Sequence, residues 1–309
     1  MKILVTGGAG FIGSHIAEAL LNQGHIVHII DNFFSGFRHN VPAKAHLFEM
    51  DISNPAVINH LQNEKYEVIY HQAAQMDVRK SVAEPTFDTQ MNIIGSIHLL
   101  EGAVKSGVKK FIFASSGGAG YGEQEYFPAD EKHPMFPLSP YGINKCTVEK
   151  YLFYYQQVFG LQYVSLRYAN VYGSRQSPHG EAGVIAIFAD RMIQGKQSFI
   201  NGDGLQTRDF VYVSDVVDAN MRALNFAESG CFNVGTGIET NVVQLFQAIN
   251  AFFGNKTEEK HNPAKAGEQL RSVLSHKLIT EKMGWKPTVL LKEGLPLTLE
   301  WFVNKQKQS

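Results

Sequence analysis

A short apolar strand that runs directly into a glycine-rich turn constrains the fold more than any other feature of this chain. The strand pattern of Lys2 to Thr6 continues as Gly7, Gly8, Ala9, Gly10, Phe11, Ile12, Gly13, and an amphipathic helix pattern follows at once. In a βαβ unit, Gly7 makes a tight turn, Gly10 lets backbone amides approach a pyrophosphate, and Gly13 lets helix and sheet pack closely. The spacing is GxxGxxG, and it predicts a dinucleotide-binding turn.

The second strand pattern, Ile26 to Ile30, ends at an acidic residue, Asp31. A carboxylate in that place suits two hydrogen bonds to the adenosine ribose, and it repels a 2′-phosphate. Asp31 therefore favours NAD over NADP as the cofactor.

Short β-branched runs alternate with longer amphipathic segments through the first part of the chain. The strand patterns are Ile3 to Val5, Ile26 to Ile30, Val68 to Tyr70, Phe111 to Phe113 and Tyr163 to Leu166, and the helix patterns include Phe11 to Asn22, Ile93 to Val104 and Val148 to Phe159. This alternation predicts an α/β fold with a doubly wound parallel sheet. After about Gly173 the alternation of strand and helix patterns becomes weaker. We therefore predict a cofactor domain over residues 1–172 and a smaller, irregular α/β substrate domain over residues 173–309, and we allow for later crossings of the chain back into the first domain.

The charge balance and the cysteine content limit the class of protein to which this chain can belong. The 309 residues carry 28 Lys and Arg against 29 Asp and Glu, without a long run of either sign, so the pattern of a nucleic-acid or membrane-surface binder is absent. Cys146 and Cys231 lie far apart, no apolar run reaches the ~18 residues of a membrane span, and the N-terminus has no leader-like pattern. The 12 histidines show no metal-ligand spacing. These features predict a soluble cytoplasmic protein that acts on a small molecule and binds no metal.

Two residues of a helix pattern suggest acid–base chemistry. The segment reads Ser139, Pro140, Tyr141, Gly142, Ile143, Asn144, Lys145, which places Tyr141 and Lys145 one turn apart on one face. A phenol has an ordinary pKa near ~10, but an ammonium one turn away and a positive nicotinamide ring both favour the phenolate. Tyr141 is therefore a candidate general base, although YxxxK alone also fits an ordinary amphipathic surface helix.

Another candidate group follows the strand pattern of Phe111 to Ala114, which ends in Ser115, Ser116 and a run of glycines. Strand ends at the carboxyl edge of a parallel sheet face the ligand crevice, so both hydroxyls are candidates for ligand contact. His71 ends a neighbouring strand pattern, and we interpret it as hydrogen-bonded structure rather than as a base.

The order of these motifs resembles the extended short-chain dehydrogenases/reductases, and within them the NAD-dependent epimerases. The motifs are TGGAGFIGSH, DNFFSG, MDI at Met50 to Ile52, and HQAAQ at His71 to Gln75. The resemblance covers nearly the whole chain and implies a Rossmann-type domain. It implies that NAD is bound by Gly7, Gly10, Phe11, Ile12, Gly13, Asp31, Asn32, Ser35, Gly36, Asp51, Ile52, Gln72, Ala73, Ala74, Gln75, Asn92, Ser115, Tyr141, Lys145 and Tyr168.

The same resemblance implies a reaction. Ser116 would hydrogen-bond the reacting hydroxyl and Tyr141 would take its proton, with Lys145 as the charge partner. Dehydrating members carry an Asp and Glu pair where this chain has Gly117 and Gly118, so the residues for water elimination are absent. The implied reaction is epimerisation at C4 of a UDP-hexose through a 4-keto intermediate, with NAD unchanged overall.

The later segments RYANVYG, GDGLQTRDFV and KAGEQLRS match the substrate-binding part of the family. The substrate residues implied are Ser116, Tyr141, Asn170, Val184, Asn201, Gln206, Arg208, Lys265, Glu268, Arg271 and Ser272. We expect Arg208 on a phosphate, because a planar guanidinium grips an anion with two hydrogen bonds. Two positions depart from the family pattern, since Lys265 replaces a usual Arg and Asn201 replaces a usual aromatic residue beside the base. The small Ser272, at the position facing C2 of the hexose, leaves room for N-acetylhexosamines.

The resemblance also implies a homodimer, because the helix patterns over residues 87–104 and 141–159 carry wide apolar arcs and such helices pair across a two-fold axis in the family. Three alternatives stay open. The chain could be an epimerase of a UDP-uronic acid or of another nucleotide sugar, a reductase that releases the nicotinamide cofactor, or a non-catalytic NAD-sensing protein. The joint presence of Ser116, Tyr141 and Lys145 disfavours the last.

Overall fold

A seven-stranded parallel sheet dominates the computed structural model, which describes residues 1–178, 183–264 and 269–308. The strands are β1 (Lys2–Thr6), β2 (Ile26–Asp31), β3 (His46–Glu49), β4 (Val68–His71), β5 (Lys110–Ser116), β6 (Gln162–Tyr168), β7 (Asn170–Tyr172), β8 (Ile200–Asn201), β9 (Thr207–Tyr212), β10 (Gly230–Val234), β11 (Glu239–Asn241), β12 (His261–Asn262) and β13 (Arg271–Ser272). The large sheet has the order β10-β6-β5-β4-β1-β2-β3. This is the doubly wound order with β10 added at one edge, so the predicted fold class is confirmed.

Helices cover both faces of this sheet. The helices of the described residues in both lobes are α1 (Phe11–Asn22), α2 (Ala56–Glu64), α3 (Val78–Ala83), α4 (Pro85–Thr89), α5 (Gly95–Ser106), α6 (Gly117–Gly120), α7 (Pro140–Phe159), α8 (Val184–Ile193), α9 (Val213–Asn225), α10 (Val242–Phe252), α11 (Lys277–Met283) and α12 (Leu291–Gln308), with a 3₁₀ turn at Arg38–Asn40 and a π-helical turn at Gln90–Ile94. Helices α1 and α9 pack on one face, and α2, α5 and α7 on the other. Across the described ranges, none of the helices has the length and apolar content needed to cross a membrane.

Strand β1 shows why a short apolar run occupies the centre of the sheet. Ile3 and Val5 pack into the hydrophobic cluster on one face, whereas Leu4 packs into the cluster on the other, and all three are fully buried. A strand with neighbours on both sides and helices on both faces is expected to be apolar at every position rather than at alternate ones. The continuous apolar run of β1 satisfies that requirement.

The smaller lobe is built around strand β9, which pairs with β7, β11 and β13. Helices α8, α10 and α12 supply its separate apolar core. The chain also returns to the large sheet, because β10 pairs in parallel with β6 and α9 packs beside α1. Residues after 172 therefore contribute to both lobes, and the division of the chain at residue 172 stays a prediction.

The side chain of His71, at the end of β4, is a neutral structural group. Its Nδ1 lies 2.8 Å from Oγ1 of Thr6, and its Nε2 lies 2.9 Å from Oγ of Ser96. Burial, followed by the charge of Lys145, lowers the pKa of His71 to about 3. The geometry agrees with the interpretation of His71 as hydrogen-bonded structure.

This buried neutral histidine predicts acid sensitivity. The pKa of His71 in the fold lies below the unfolded value near ~6.5, so its contribution is complete above that pH and is lost as the pH falls toward about 3. The free energy of unfolding should therefore lose about 1.4 kcal/mol per pH unit from this residue in that window. Urea unfolding at several pH values, at one fixed NAD concentration, should show a shallower acid slope for His71→Asn than for the wild type. Equal slopes would contradict the prediction.

Candidate active site

A cleft of about 1680 Å³ opens at the carboxyl edge of the large sheet and extends to the smaller lobe. Most residues predicted from the sequence line it. They are Gly7, Gly10, Phe11, Ile12, Gly13, Asp31, Asn32, Ser35, Gly36, Ile52, Gln72, Ala73, Ala74, Gln75, Ser115, Ser116, Tyr141, Lys145, Tyr168, Asn170, Val184, Asn201, Gln206 and Arg208. The fold therefore joins the predicted cofactor and substrate residues in one continuous site.

The glycine turn forms a cradle that side chains would fill. Gly7 has φ +70°, and a Cβ there would lie 2.6 Å from the backbone nitrogen of Ala73. A Cβ on Gly13 would lie 2.1 Å from the carbonyl oxygen of Gly7. Helix α1 then begins at Phe11 with no side-chain cap from the described residues, so its first amides can bind a phosphate. These features fit the pyrophosphate of a dinucleotide.

Asp31 shapes the rim of this cradle. Its Oδ2 accepts a hydrogen bond from the amide of Ala9 at 2.9 Å, and its Oδ1 accepts one from the amide of Phe33 at 2.8 Å. Burial raises the pKa of the carboxyl, and these two backbone donors oppose the rise. The carboxylate is thus held by two backbone amides in the lining of the cleft.

Two predicted cofactor residues lie behind the cleft rather than in its lining. The Asp51 carboxylate accepts hydrogen bonds from the Asn32 side chain at 2.9 Å and from the amide of Ser53 at 2.7 Å. Asn92, in the π-helical turn, accepts a bond from the Gln75 amide at 3.0 Å and donates one to the Gln75 carbonyl at 2.9 Å. Asp51 and Asn92 therefore brace neighbours that do line the cleft.

Tyr141 and Lys145 lie at the start of α7, whose first turn is capped by the Ser139 hydroxyl accepting a hydrogen bond from the Gly142 amide. The Lys145 Nζ donates to the carbonyl of Ala114 at 2.9 Å and lies 5.7 Å from the centroid of the Tyr141 ring. Burial lowers the pKa of Lys145 to about 8, so most of it is protonated at neutral pH. A fixed ammonium beside the phenol favours the phenolate.

The two serines at the end of β5 have different surroundings. Ser116 Oγ accepts a hydrogen bond from the amide of Ala119 at 3.1 Å, which leaves its hydrogen to donate into the cleft. Ser115 pairs in the sheet with Arg167, and its hydroxyl is buried. Beside Ser116, a Cβ on Gly118 would have ordinary contacts only, so the absent side chain leaves open space there. The geometry favours Ser116 for contact with a substrate.

Tyr168 also faces the cleft, but its hydroxyl is engaged. It accepts a hydrogen bond from Asn220 Nδ2 at 2.8 Å, and Gln72 Nε2 lies 3.4 Å away. Burial raises the pKa of Tyr168 to about 12. Tyr168 therefore stays a neutral phenol, and Tyr141 is the better candidate for a base.

The substrate side of the cleft is formed by the smaller lobe. Arg208 lines it from β9, and its Nη1 donates to the carbonyl of Thr207 at 2.8 Å. The adjacent Asp209 is buried and accepts bonds from Thr236, so its carboxylate is committed to the core of the lobe. Asn201 lines the cleft as predicted, and the aromatic ring of Phe199 lines it two residues earlier. The sequence resemblance shows that Asn201 replaces a usual aromatic residue, but it gives no indication that the ring of Phe199 lines the cleft.

Arg271 and Ser272, in the last of the predicted substrate-binding segments, do not line the cleft. Arg271 does not line the cleft, because its guanidinium makes two hydrogen bonds to Glu239, at 2.9 and 2.7 Å, and lies 3.6 Å from the centroid of the Phe127 ring. Ser272 is buried in β13, opposite Arg208, and is also outside the lining. Lys265 and Glu268 lie outside the described residues. The assigned roles of these four residues stay predictions.

Several lining residues have no counterpart in the sequence predictions. Lys80 lies over the rings of Phe34 and Phe87, at 4.9 and 4.5 Å from their centroids, at the mouth of the cleft. Arg175 pairs with Glu18 on α1 at 2.6 Å and so ties the chain after β7 to the cofactor domain. Spacing along the chain could not have indicated the contacts of Lys80 with Phe34 and of Arg175 with Glu18, because each joins segments far apart in sequence.

Comparisons with solved structures give the same architecture over the whole chain. The UDP-glucose 4-epimerase of Thermotoga maritima with UDP-glucose is 46% identical, with a TM-score of 0.97 over 99% of this chain and 100% of that one. The UDP-glucose 4-epimerase of Thermus thermophilus in complex with NAD is 43% identical, with a TM-score of 0.92 over 98% and 99%. The UDP-N-acetylglucosamine 4-epimerase of Methanobrevibacter ruminantium M1, in complex with UDP-N-acetylmuramic acid, is 33% identical, with a TM-score of 0.92 over 98% of each chain.

A family model spans both the cofactor cradle and much of the substrate lobe. It matches residues 3–235, which include the glycine turn, Ser116, Tyr141, Lys145 and Arg208. The agreement between this match and the geometry of the cleft establishes that the chain belongs to the NAD dependent epimerase/dehydratase family.

Proposed function

We propose that this chain is an NAD-dependent 4-epimerase of UDP-hexoses that interconverts UDP-glucose and UDP-galactose. The observation that carries the proposal is the placement of Tyr141, Lys145 and Ser116 together beside the glycine cradle in one cleft. Relatives that are 46% and 43% identical are UDP-glucose 4-epimerases, one solved with UDP-glucose and the other with NAD.

The cofactor residues define what the chain itself contributes. The amides at the start of α1 would hold the pyrophosphate of NAD, and Asp31 would hold the adenosine ribose. When bound, NAD supplies reversible hydride transfer, in which the hydride taken from C4 is later returned to the opposite face of the turned sugar, so that C4 is inverted and the cofactor is unchanged overall. Everything else in the reaction depends on how the protein positions protons and the sugar.

The proton of the C4 hydroxyl passes to Tyr141. The Lys145 ammonium stabilises the phenolate before the transfer, and Ser116 donates a hydrogen bond to the reacting oxygen. In the second half of the reaction the Tyr141 phenol returns the proton to the same oxygen. Because both transfers use one phenol, no second acid is required, and Gly117 and Gly118 supply none.

Inversion also requires that the nucleotide be held while the hexose turns. Arg208 and Asn170 line the cleft where a diphosphate would lie, and a guanidinium binds such an anion firmly. The open space at Gly118, next to the Ser116 hydroxyl, leaves room for the sugar ring. Firm contacts at the diphosphate and few contacts at the hexose permit that rotation.

We extend the proposal to UDP-N-acetylhexosamines. The resemblance implies that a small side chain such as Ser272 admits an N-acetyl group, although Ser272 itself is buried outside the cleft lining. The support for the extension is therefore the UDP-N-acetylglucosamine 4-epimerase among the structural relatives. Assays with both sugar pairs, in which the C4 epimers are separated, test this extension. A cytoplasmic location is a further proposal, supported by the free thiols of Cys146 and Cys231.

Replacing Tyr141 by Phe tests the proposed chemistry. Tyr141→Phe should keep NAD binding and the melting temperature but lower kcat for UDP-galactose at least ~10²-fold, the scale of a general base. The wild type should show epimerisation without net change in the absorbance of reduced nicotinamide. Wild-type turnover by Tyr141→Phe would refute the role of this residue, and net release of reduced cofactor would indicate a reductase instead.

Replacing Asp31 by Ala tests the cofactor assignment. The variant loses both the ribose acceptor and the charge that repels a 2′-phosphate, so its affinity for NAD should fall while its preference for NAD over NADP narrows. Calorimetric titration of the two cofactors measures both effects. Asp51→Ala, which removes a carboxylate behind the lining, is the matched control and should leave that preference unchanged.

We also propose that the protein is a homodimer. Helix α7 exposes large apolar side chains along one stripe, formed by Ile143, Tyr151, Tyr154 and Val158. Pairing of this stripe with its copy across a two-fold axis would bury it. Light scattering at micromolar protein should give twice the chain mass of 34.4 kDa, whereas Tyr154→Glu should shift the mass toward the monomer. A monomer mass for the wild type would contradict the proposal.

A further inference from the structure

Asp88 on α4 is a fully buried carboxylate that has no role in the mechanism above. It lies next to α7, which carries Tyr141 and Lys145 and is called the catalytic helix below. The Asp88 side chain is fully shielded from solvent. An ionised carboxylate in such a place is costly unless hydrogen bonds and an opposite charge compensate it. The structure supplies three hydrogen bonds to Asp88, and the charge of Asp88 acts electrostatically on the Lys145 ammonium.

Three amide side chains donate to this carboxylate. Gln75 Nε2 and Asn92 Nδ2 donate to Oδ1 at 2.8 and 2.9 Å, and Asn144 Nδ2 donates to Oδ2 at 2.6 Å. The donors belong to three different segments, which are the cofactor loop after β4, the π-helical turn and helix α7. Asp88 is therefore the common acceptor that connects these segments.

The opposite charge is the ammonium of Lys145, the residue that follows Asn144. Burial lowers the pKa of Lys145 to about 8, and the Asp88 charge opposes that fall. Among the described residues, Tyr141 on the same helix and His71 of β4, which is held neutral, also lie near Lys145. The hydrogen bond from Asn144 fixes Asp88 against α7 at the residue before Lys145, and the charge of Asp88 opposes the effect of burial on that ammonium.

We propose that Asp88 is a positioning residue for the reaction, holding the Lys145 ammonium charged and locking the cofactor loop onto the catalytic helix. The inference rests on the proposed function for its kinetic consequence, but its electrostatic content is independent of turnover. Ser81 adds a parallel contact, because its hydroxyl accepts a hydrogen bond from the Tyr141 amide at 3.2 Å. Both contacts come from the segment 78–89, which packs against the start of α7.

The proposal has a consequence that a purely structural contact lacks. Without the carboxylate, burial of Lys145 is no longer offset, so its ammonium is lost at a lower pH. Tyr141 then loses its charge partner in the pH range where the wild type is active. The descending limb of the kcat–pH profile should move to lower pH, whereas a merely loosened helix would lower kcat by a similar factor at every pH.

Asp88→Asn in the NAD-loaded enzyme tests this. Its Oδ1 can still accept from Gln75 and Asn92, but its amide meets the Asn144 amide as donor against donor. We expect the descending limb to move down by about one pH unit, which lowers kcat about tenfold on its alkaline side. The exchange Asp88→Asn with Asn144→Asp restores both the hydrogen bond and the charge, and it should return the limb toward the wild-type position.

Asn144→Ala is the matched control, because it removes one hydrogen bond and leaves the carboxylate. The descending limb of the kcat–pH profile of Asn144→Ala should stay at the wild-type pH even if kcat falls. A fall in kcat by one factor at all pH values in Asp88→Asn, or an equal shift of the limb in Asn144→Ala, would overturn the proposal. Melting temperature and NAD content check folding. If Asp88→Asn alone does not fold, the test uses the double variant Asp88→Asn with Asn144→Asp. A descending limb of its kcat–pH profile well below the wild-type pH overturns the proposal.

A second readout separates this proposal from the proposed function. With isotope-labelled lysine, NMR follows the titration of Lys145 directly, and the signal is assigned by its loss in Lys145→Met. Asp88→Asn should lower the midpoint of that titration, and an unchanged midpoint overturns the proposal. If the wild type does not interconvert C4 epimers, the proposed function fails, while this titration still decides the role of Asp88.

Discussion

The close approach of α1 to β1 is the constraint on which the rest of the site depends. Gly13 lies so near the carbonyl of Gly7 that even a methyl group would overlap it, and Gly7 adopts a positive φ beside Ala73. This contact aims the first amides of α1 at the cleft. Strand β4 pairs with β1, and Gly7 lies against Ala73, so the loop after β4 forms the floor of the cradle.

A second set of contacts fixes α7, the helix that carries Tyr141 and Lys145, on the sheet. Along one face of α7, Lys145 donates to the Ala114 carbonyl of β5, and Glu149, one turn later, forms a buried ion pair with Arg167 of β6 at 2.7 Å. Losing one partner of such a pair would leave an uncompensated buried charge, so the docking of α7 is strongly specified. Tyr141 gains its position from this docking. A phenol on a loosely held helix would not stay beside its ammonium.

Patterns that depend on local rules were readable from the sequence. The helix predicted over Phe11 to Asn22 has the bounds of α1, and the strand patterns coincide with the central strands of the large sheet. The glycine turn and the one-turn spacing of Tyr141 and Lys145 are local as well. Helix α12 has no counterpart among the sequence predictions. It contains Gly294 and Pro296, which disfavour a helix interior, and the packing of Leu295, Leu299 and Phe302 in the smaller lobe stabilises it.

Contacts between distant segments could not be read in the same way. Arg271 carries the charge expected of a phosphate ligand, but the folded lobe brings Glu239 to it, and the ion pair turns the guanidinium out of the cleft lining. Asp88 gave no sequence signal, because its three donors come from residues 75, 92 and 144. No spacing along the chain encodes such a meeting.

The sequence by itself determined the class of fold, the cofactor cradle and the residue types available for proton transfer, because hydrophobic periodicity, glycine geometry and helix spacing act within a few residues. The tertiary structure decided which of those residues face the cleft. It buried Ser272, braced Gln75 through Asn92, and placed Phe199 in the lining of the cleft. The physical reason is that burial, desolvation and charge compensation depend on neighbours in space, and the folded chain alone supplies those neighbours.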